Sequence, residues 1–152
     1  MADLVVCCTD GSELSINALR RGLAALADSP GDVVLVMSVP EPDPTMVTGA
    51  GFAGPVMSVE QFDLERQHAI SAGETILAEA VVALGRPDVS TKVLTGLPGQ
   101  SVCQYAADEG ARLIIVGTRG RGGFVRAMMG SVSDYIVRHS PCPVLVCGQA
   151  RD

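Results

Sequence analysis

Five short apolar runs recur along this chain, and each is separated from the next by a stretch with helical spacing. The runs are Leu4–Thr9, Val33–Val39, Val89–Thr95, Leu113–Val116 and Val144–Cys147. Four of them lack the polar alternation of a strand with one wet face, so they predict strands covered on both sides. Val89–Thr95 mixes apolar and polar residues, which suits an edge. Strands alternating with helices imply a parallel sheet with right-handed crossovers and helices on both faces. The sequence therefore predicts a single-domain α/β fold around an open parallel five-stranded sheet.

The helical segments carry their own start and stop signals. Ser12 is a candidate N-cap, and Glu13 in the next turn suits the positive helix end. Ile16, Leu19, Leu23 and Leu26 then mark one apolar face. Ser58-Val-Glu-Gln61 is a capping box. Phe62, Ala69, Gly73, Ile76, Ala80 and Leu84 predict the inner face of its helix, which Gly85-Arg-Pro87 ends. Gly96-Leu-Pro98-Gly turns into a third helix with Val102, Cys103 and Ala106 inward, and Ser131–His139 reads as a fourth main helix. Residues 40–57 form a long connection rich in Pro and Gly, a length that is usually functional or mobile.

Composition narrows the function classes. Lys and Arg total 11 against 17 Asp and Glu, a net charge of −6. Such a chain is a poor partner for nucleic acid or an anionic membrane. Aromatic residues are only 3%, with no Trp, so the core is expected to be aliphatic. No apolar run reaches the ~18 residues of a membrane span, and the first residues show no basic leader. The five cysteines lie outside any CxxC spacing. They read as buried thiols of a reducing compartment, and a cytoplasmic location is the expectation. Cys7 and Cys8, adjacent on a strand, must face opposite ways.

The most chemical stretch follows the fourth strand. Gly117-Thr-Arg119-Gly120 is followed by nine residues and then Gly130-Ser131-Val132-Ser133. Glycines let backbone amides approach a ligand closely, and a helix N-terminus presents amides to an anion. Two glycine clusters flanking one loop, at the carboxyl end of a strand, suggest a phosphate cradle. Arg119, Arg121 and Arg126 add positive charge to the same loop of an otherwise acidic chain.

With Thr9-Asp10-Gly11-Ser12, Gly96-Leu-Pro98-Gly, the spaced glycines through Gly130-Ser131, and Ser140-Pro-Cys-Pro143-Val-Leu-Val146, the chain resembles the universal stress protein family, in its nucleotide-binding branch. The likeness spans nearly the whole length, with a domain over 1–148 and a short tail at 149–152. It implies a Rossmann-like sheet of order 3-2-1-4-5, similar to the adenine nucleotide alpha hydrolases. It also implies ATP as the bound cofactor, with magnesium held mainly by phosphates and water. Carried over, Asp10 holds the ribose hydroxyls, and Cys8, Thr9, Val39 and Val116 line the base, Val39 through its main chain. Gly117, Arg119 and Gly120 cradle the phosphates from one side, and Gly130, Ser131, Val132 and Ser133 from the other. The resemblance further implies a homodimer through the last strand, Val144–Cys147.

Two tempting motifs fail. Gly49-Ala-Gly51-Phe-Ala-Gly54 matches a dinucleotide pattern in letters, but it neither follows a strand directly nor opens a helix. Gly122-Gly123-Phe124 lacks the lysine of a nucleoside-triphosphatase P-loop. Catalytic residues are scarce: there are two histidines, His68 and His139, and no nucleophile elbow or zinc spacing. Adenylating proteins of related fold carry paired-histidine or serine-glycine-glycine signatures, and neither occurs here. The expected role is a nucleotide-binding stress regulator with little or no turnover. A slow ATPase and a dimeric scaffold without nucleotide are the rivals.

Overall fold

A computed structural model describes residues 3–26, 30–48, 56–118 and 129–149. The elements follow the expected alternation: β1 Leu4–Cys8, α1 Glu13–Ala25, β2 Asp32–Val39, α2 Thr45–Thr48, α3 Val59–Leu84, β3 Ser90–Thr95, α4 Pro98–Glu109, β4 Leu113–Gly117, α5 Ser131–His139 and β5 Val144–Cys147. All strand pairings are parallel. The order is β3-β2-β1-β4-β5, as the sequence implied.

Each sheet face has its own aliphatic core. Val5, Cys7, Val33, Leu35 and Ile115 point toward α1 and α3, where Leu19, Leu77 and Leu84 meet them. Val6, Cys8, Val34, Val36, Ile114 and Val116 point the other way, toward Val102 and Ala106 of α4 and Ile136 of α5. Cys7 and Cys8 thus fall into different cores, as the period of two in a strand demands.

Local capping signals held. The Ser12 hydroxyl accepts the Ser15 N–H at 3.2 Å. Ser58 and Gln61 close both arms of the capping box, at 3.1 and 2.9 Å. Gly85 ends α3 in the left-handed region at φ 72°, a conformation that favours glycine.

Two expectations needed adjustment. The inner face of α3 runs through Gly73, Leu77, Ala80 and Leu84; Phe62, Ala69 and Ile76 are only half-buried. A helix of 26 residues is about 39 Å long at 1.5 Å per residue. Its first half therefore extends past strands of five to eight residues and meets little core. The connection after β2 also contains a one-turn helix, α2, which lacks a strong apolar period because none of its residues is buried.

Candidate functional site

The strand order reverses its direction of travel at β1: β2 and β3 lie on one side, β4 and β5 on the other. Connections from β1 and β4 leave toward opposite faces, the topology that in open α/β sheets puts a ligand crevice outside the strands' carboxyl ends. Cys8 and Val116 are direct neighbours there. Asp10 follows β1, and Gly117 closes β4.

The turn after β1 is built by its own side chains. The Asp10 carboxylate accepts the Ser12 N–H at 2.9 Å, an Asx turn. Thr9 is buried; its hydroxyl lies 2.5 Å from that of Ser15 and accepts the Gly11 N–H at 3.0 Å. Gly11 has φ 81°, and a Cβ there would sit 2.4 Å from Cγ2 of Ile76. Only glycine lets α3 pass that close. The effect is to hold Asp10 half-buried just past the carboxyl end of β1. Burial, followed by the nearby Asp10 carboxylate, pushes the Cys8 thiol up to about 12, so Cys8 is a neutral apolar surface and not a nucleophile.

On the β4 side, the Thr118 N–H donates to the Cys147 carbonyl at 3.0 Å, and the Thr118 carbonyl accepts the Gly130 N–H at 2.8 Å. The chain leaves β4 and returns to start α5 at one point. Gly130 is the N-cap of α5, and no described side chain caps that end. Its carbonyl accepts from the Asp134 N–H at 2.9 Å and the Ser133 hydroxyl at 3.0 Å. Ser133 is buried and Ser131 is exposed. An N-terminus that no described side chain caps, adjoining the switch point, is suited to an anion.

The base-lining candidates sit around the same sheet edge. Val116 and Cys8 face the α4–α5 core. Val39 ends β2, and its side chain packs against Gly73, where a Cβ would come within 3.1 Å. Its carbonyl accepts the Gly96 N–H at 3.0 Å, and a carbonyl retains a second lone pair for another donor. Arg119 and Gly120 lie outside the described residues, as do Arg121, Arg126 and the whole of Gly49–Gly54.

A further polar chain was not visible in sequence. Ser101 donates to Ser38 at 2.9 Å, and Ser38 donates to the Gly96 carbonyl at 2.9 Å. It ties the ends of β2 and β3 to the first turn of α4. The partners are about sixty positions apart, so no local signal announces them. His139 lies at the far end of α5, its ring stacked on Tyr135 with centroids 4.1 Å apart. His68 is exposed on α3. Neither histidine is placed to activate water at the N-terminus of α5.

The fold is an open, doubly wound parallel α/β sheet, with the candidate site at its topological switch point. The universal stress protein family model matches residues 1–148, and the chain belongs to that family. A universal stress protein of Thermus aquaticus is 32% identical over 139 residues, covering 90% of this chain and 92% of the relative. The protein YxiE of Bacillus subtilis is 29% identical over 140 residues, covering 90% and 93%. Among solved structures, MJ0577 of Methanocaldococcus jannaschii superposes with a TM-score of 0.71 at 22% identity, over 98% of this chain and 97% of that one. A universal stress protein in complex with cAMP gives 0.59 at 24% identity, over 95% and 94%. An Arabidopsis thaliana family member with AMP bound gives 0.59 at 18% identity, over 98% and 93%. No helix among the described residues is long and apolar enough to cross a membrane.

Proposed function

We propose that this protein binds ATP, with magnesium carried on the phosphates, in the crevice between β1 and β4, and that it serves as a nucleotide sensor in a stress response. The observation that carries this reading is the Gly130-to-Thr118 hydrogen bond of 2.8 Å. It sets the α5 N-terminus, which no described side chain caps, beside the end of β4, one strand away from Asp10. A site for an anion and a carboxylate that can accept from ribose hydroxyls are two of the needs of a nucleotide. Asp10 would take the ribose hydroxyls, Val39 and the Cys8–Val116 surface the base, and Gly117 with the first turn of α5 the phosphates. Family structures holding cAMP and AMP support an adenine ligand.

No described residue is positioned as a base for water, so the nucleotide would be held longer than it is hydrolysed. Turnover is expected far below the ~10 s⁻¹ of a median enzyme. The test is mass spectrometry of the denatured, freshly purified protein, followed by calorimetry with ATP, ADP and AMP. Absence of nucleotide from the preparation and of binding heat for all three would leave the scaffold reading; turnover of several per second would favour the enzyme.

Assembly through β5 is part of the same proposal. The two sheet edges differ: β3 exposes Ser90, Thr91 and Lys92, polar and charged residues that discourage pairing. β5 offers half-buried Val144, Leu145 and Val146, an aliphatic edge that invites a second copy.

A further inference from the structure

The turn that carries Asp10 is held from inside the protein by two hydroxyls that packing alone does not ask for. Ser15 lies on the inward face of α1 with Leu19 and Gly22, and Thr9 directly follows β1. Both side chains are buried. An alanine or a valine would fill the same space with no polar group to satisfy. A buried hydroxyl is tolerated when it is hydrogen-bonded, and among the described residues no buried side-chain polar atom lacks a partner.

Each hydroxyl has a single proton to give, and that sets the direction of the bonds. The Gly11 N–H donates to Thr9 Oγ1 at 3.0 Å. The Ser15 hydroxyl donates to the Ser12 carbonyl at 3.2 Å. In the 2.5 Å contact between Thr9 and Ser15, the Thr9 hydroxyl is therefore the donor and Ser15 Oγ the acceptor. The result is a continuous chain from the Gly11 N–H, through Thr9 and Ser15, to the Ser12 carbonyl. Bonds in such a chain strengthen one another. At one end it is rooted in the sheet, because the Thr9 N–H donates to the Val36 carbonyl at 3.0 Å. At the other it is rooted in α1, where the Ser12 carbonyl also takes the Ile16 N–H at 3.1 Å. The Asp10 carboxylate is oriented by the Ser12 N–H at 2.9 Å. Ser12 presents both groups, so anchoring its carbonyl limits the movement of the N–H that orients the carboxylate.

We propose that Ser15 is a positioning residue for ribose recognition: through Thr9 and Ser12 it sets the Asp10 carboxylate for the sugar hydroxyls, and so gives the site a preference for ribonucleotides over dideoxynucleotides. This rests on the nucleotide reading above and assigns its sugar selectivity to a residue of α1 that does not touch the ligand. A carboxylate accepts through several lone pairs at once, so the Ser12 bond and the sugar hydroxyls are compatible. Hydrogen bonds weaken steeply with misalignment. A loosened turn therefore loses the sugar before it loses the base or the phosphates, whose proposed contacts stand on β2, β4 and α5.

Calorimetry on the full chain with ATP and with 2′,3′-dideoxy-ATP reads the sugar contact as a ratio of two Kd values. The parent should prefer ATP by about 10- to 150-fold, the range for hydrogen bonds to a charged group. Ser15→Ala should weaken ATP, leave dideoxy-ATP nearly unchanged, and so collapse the ratio. Thr9→Val breaks the chain at its other hydroxyl and should collapse it as well. Ser12→Ala removes the α1 cap but keeps the chain, which uses only the main chain of Ser12; it should lower the melting temperature and keep the ratio. In an Asp10→Asn background, Ser15→Ala should not change the ratio further. A ratio that survives Ser15→Ala and Thr9→Val, or an equal loss of both ligands, would overturn the positioning role and leave nucleotide binding standing. A parent that binds both ligands alike would remove the sugar role of Asp10 and that of Ser15 with it. A parent that binds neither would remove the nucleotide reading itself.

Discussion

Gly130→Ala separates what the site does from what the fold needs. The backbone of Gly130 has φ −63° and ψ 160°, values any L-residue adopts, so the substitution causes no dihedral strain. An added Cβ would sit 3.3 Å from the Thr118 carbonyl oxygen. That is tight, and the neighbour is backbone, so the closure between positions 118 and 130 must open by a few tenths of an ångström. Three small effects then compete in stability. Alanine is a poorer N-cap than glycine by about 0.5–1 kcal/mol. The contact adds a fraction more. Against these, alanine reduces the entropy of the unfolded chain by about 0.4–1 kcal/mol. The net change should stay below about 1 kcal/mol. Binding should respond more strongly. If the shift removes one hydrogen bond from a backbone amide to a charged phosphate, it costs about 1.5–3 kcal/mol, roughly a 10- to 150-fold rise in Kd. Calorimetry with ATP and urea unfolding on the same preparation measure both. Unchanged affinity, or a loss of stability above about 2 kcal/mol, would refute the reasoning.

Leu77→Ala should cost about 3–5 kcal/mol in urea unfolding, because Leu77 is fully buried and leaves a cavity; Ile76→Ala, at a half-buried position, should cost clearly less, and equal losses would contradict the assigned face of α3. Asp88 accepts from Arg86 Nε at 2.8 Å and Nη2 at 2.6 Å, and those hydrogen bonds lower its pKa to about 2. A depressed carboxylate stabilises the fold above its ordinary 3.8 and loses that contribution as pH falls through about 2; an NMR titration should show the low midpoint, and Arg86→Gln should return it toward 3.8. Sedimentation should find the parent dimeric at micromolar concentration and Val146→Lys, on the β5 edge, monomeric; a monomeric parent would remove the edge-pairing proposal.

What the sequence alone determined was whatever is written in adjacent residues. Apolar runs without alternation located the buried strands, since a strand covered twice has no polar side to show. Ser12, the Ser58–Gln61 pair and Gly85 located helix ends, because capping is settled within four residues. The family resemblance supplied the strand order and the residues to examine, and the fold bears the order out. What only the tertiary structure decided depends on partners far apart in the chain. Leu77, not Ile76, is the fully buried residue of α3, because the sheet and not the helical period sets the contact line; Ile76 is drawn instead over Gly11. The requirement for glycine at position 11 comes from its φ of 81° together with that helix crossing, and a turn motif alone does not reveal the second cause. The Thr9–Ser15 and Ser38–Ser101 hydroxyl contacts and the return of Gly130 to Thr118 exist only once the helices have packed. Each joins groups whose approach is fixed by the shape of a filled core, and that shape belongs to the whole chain.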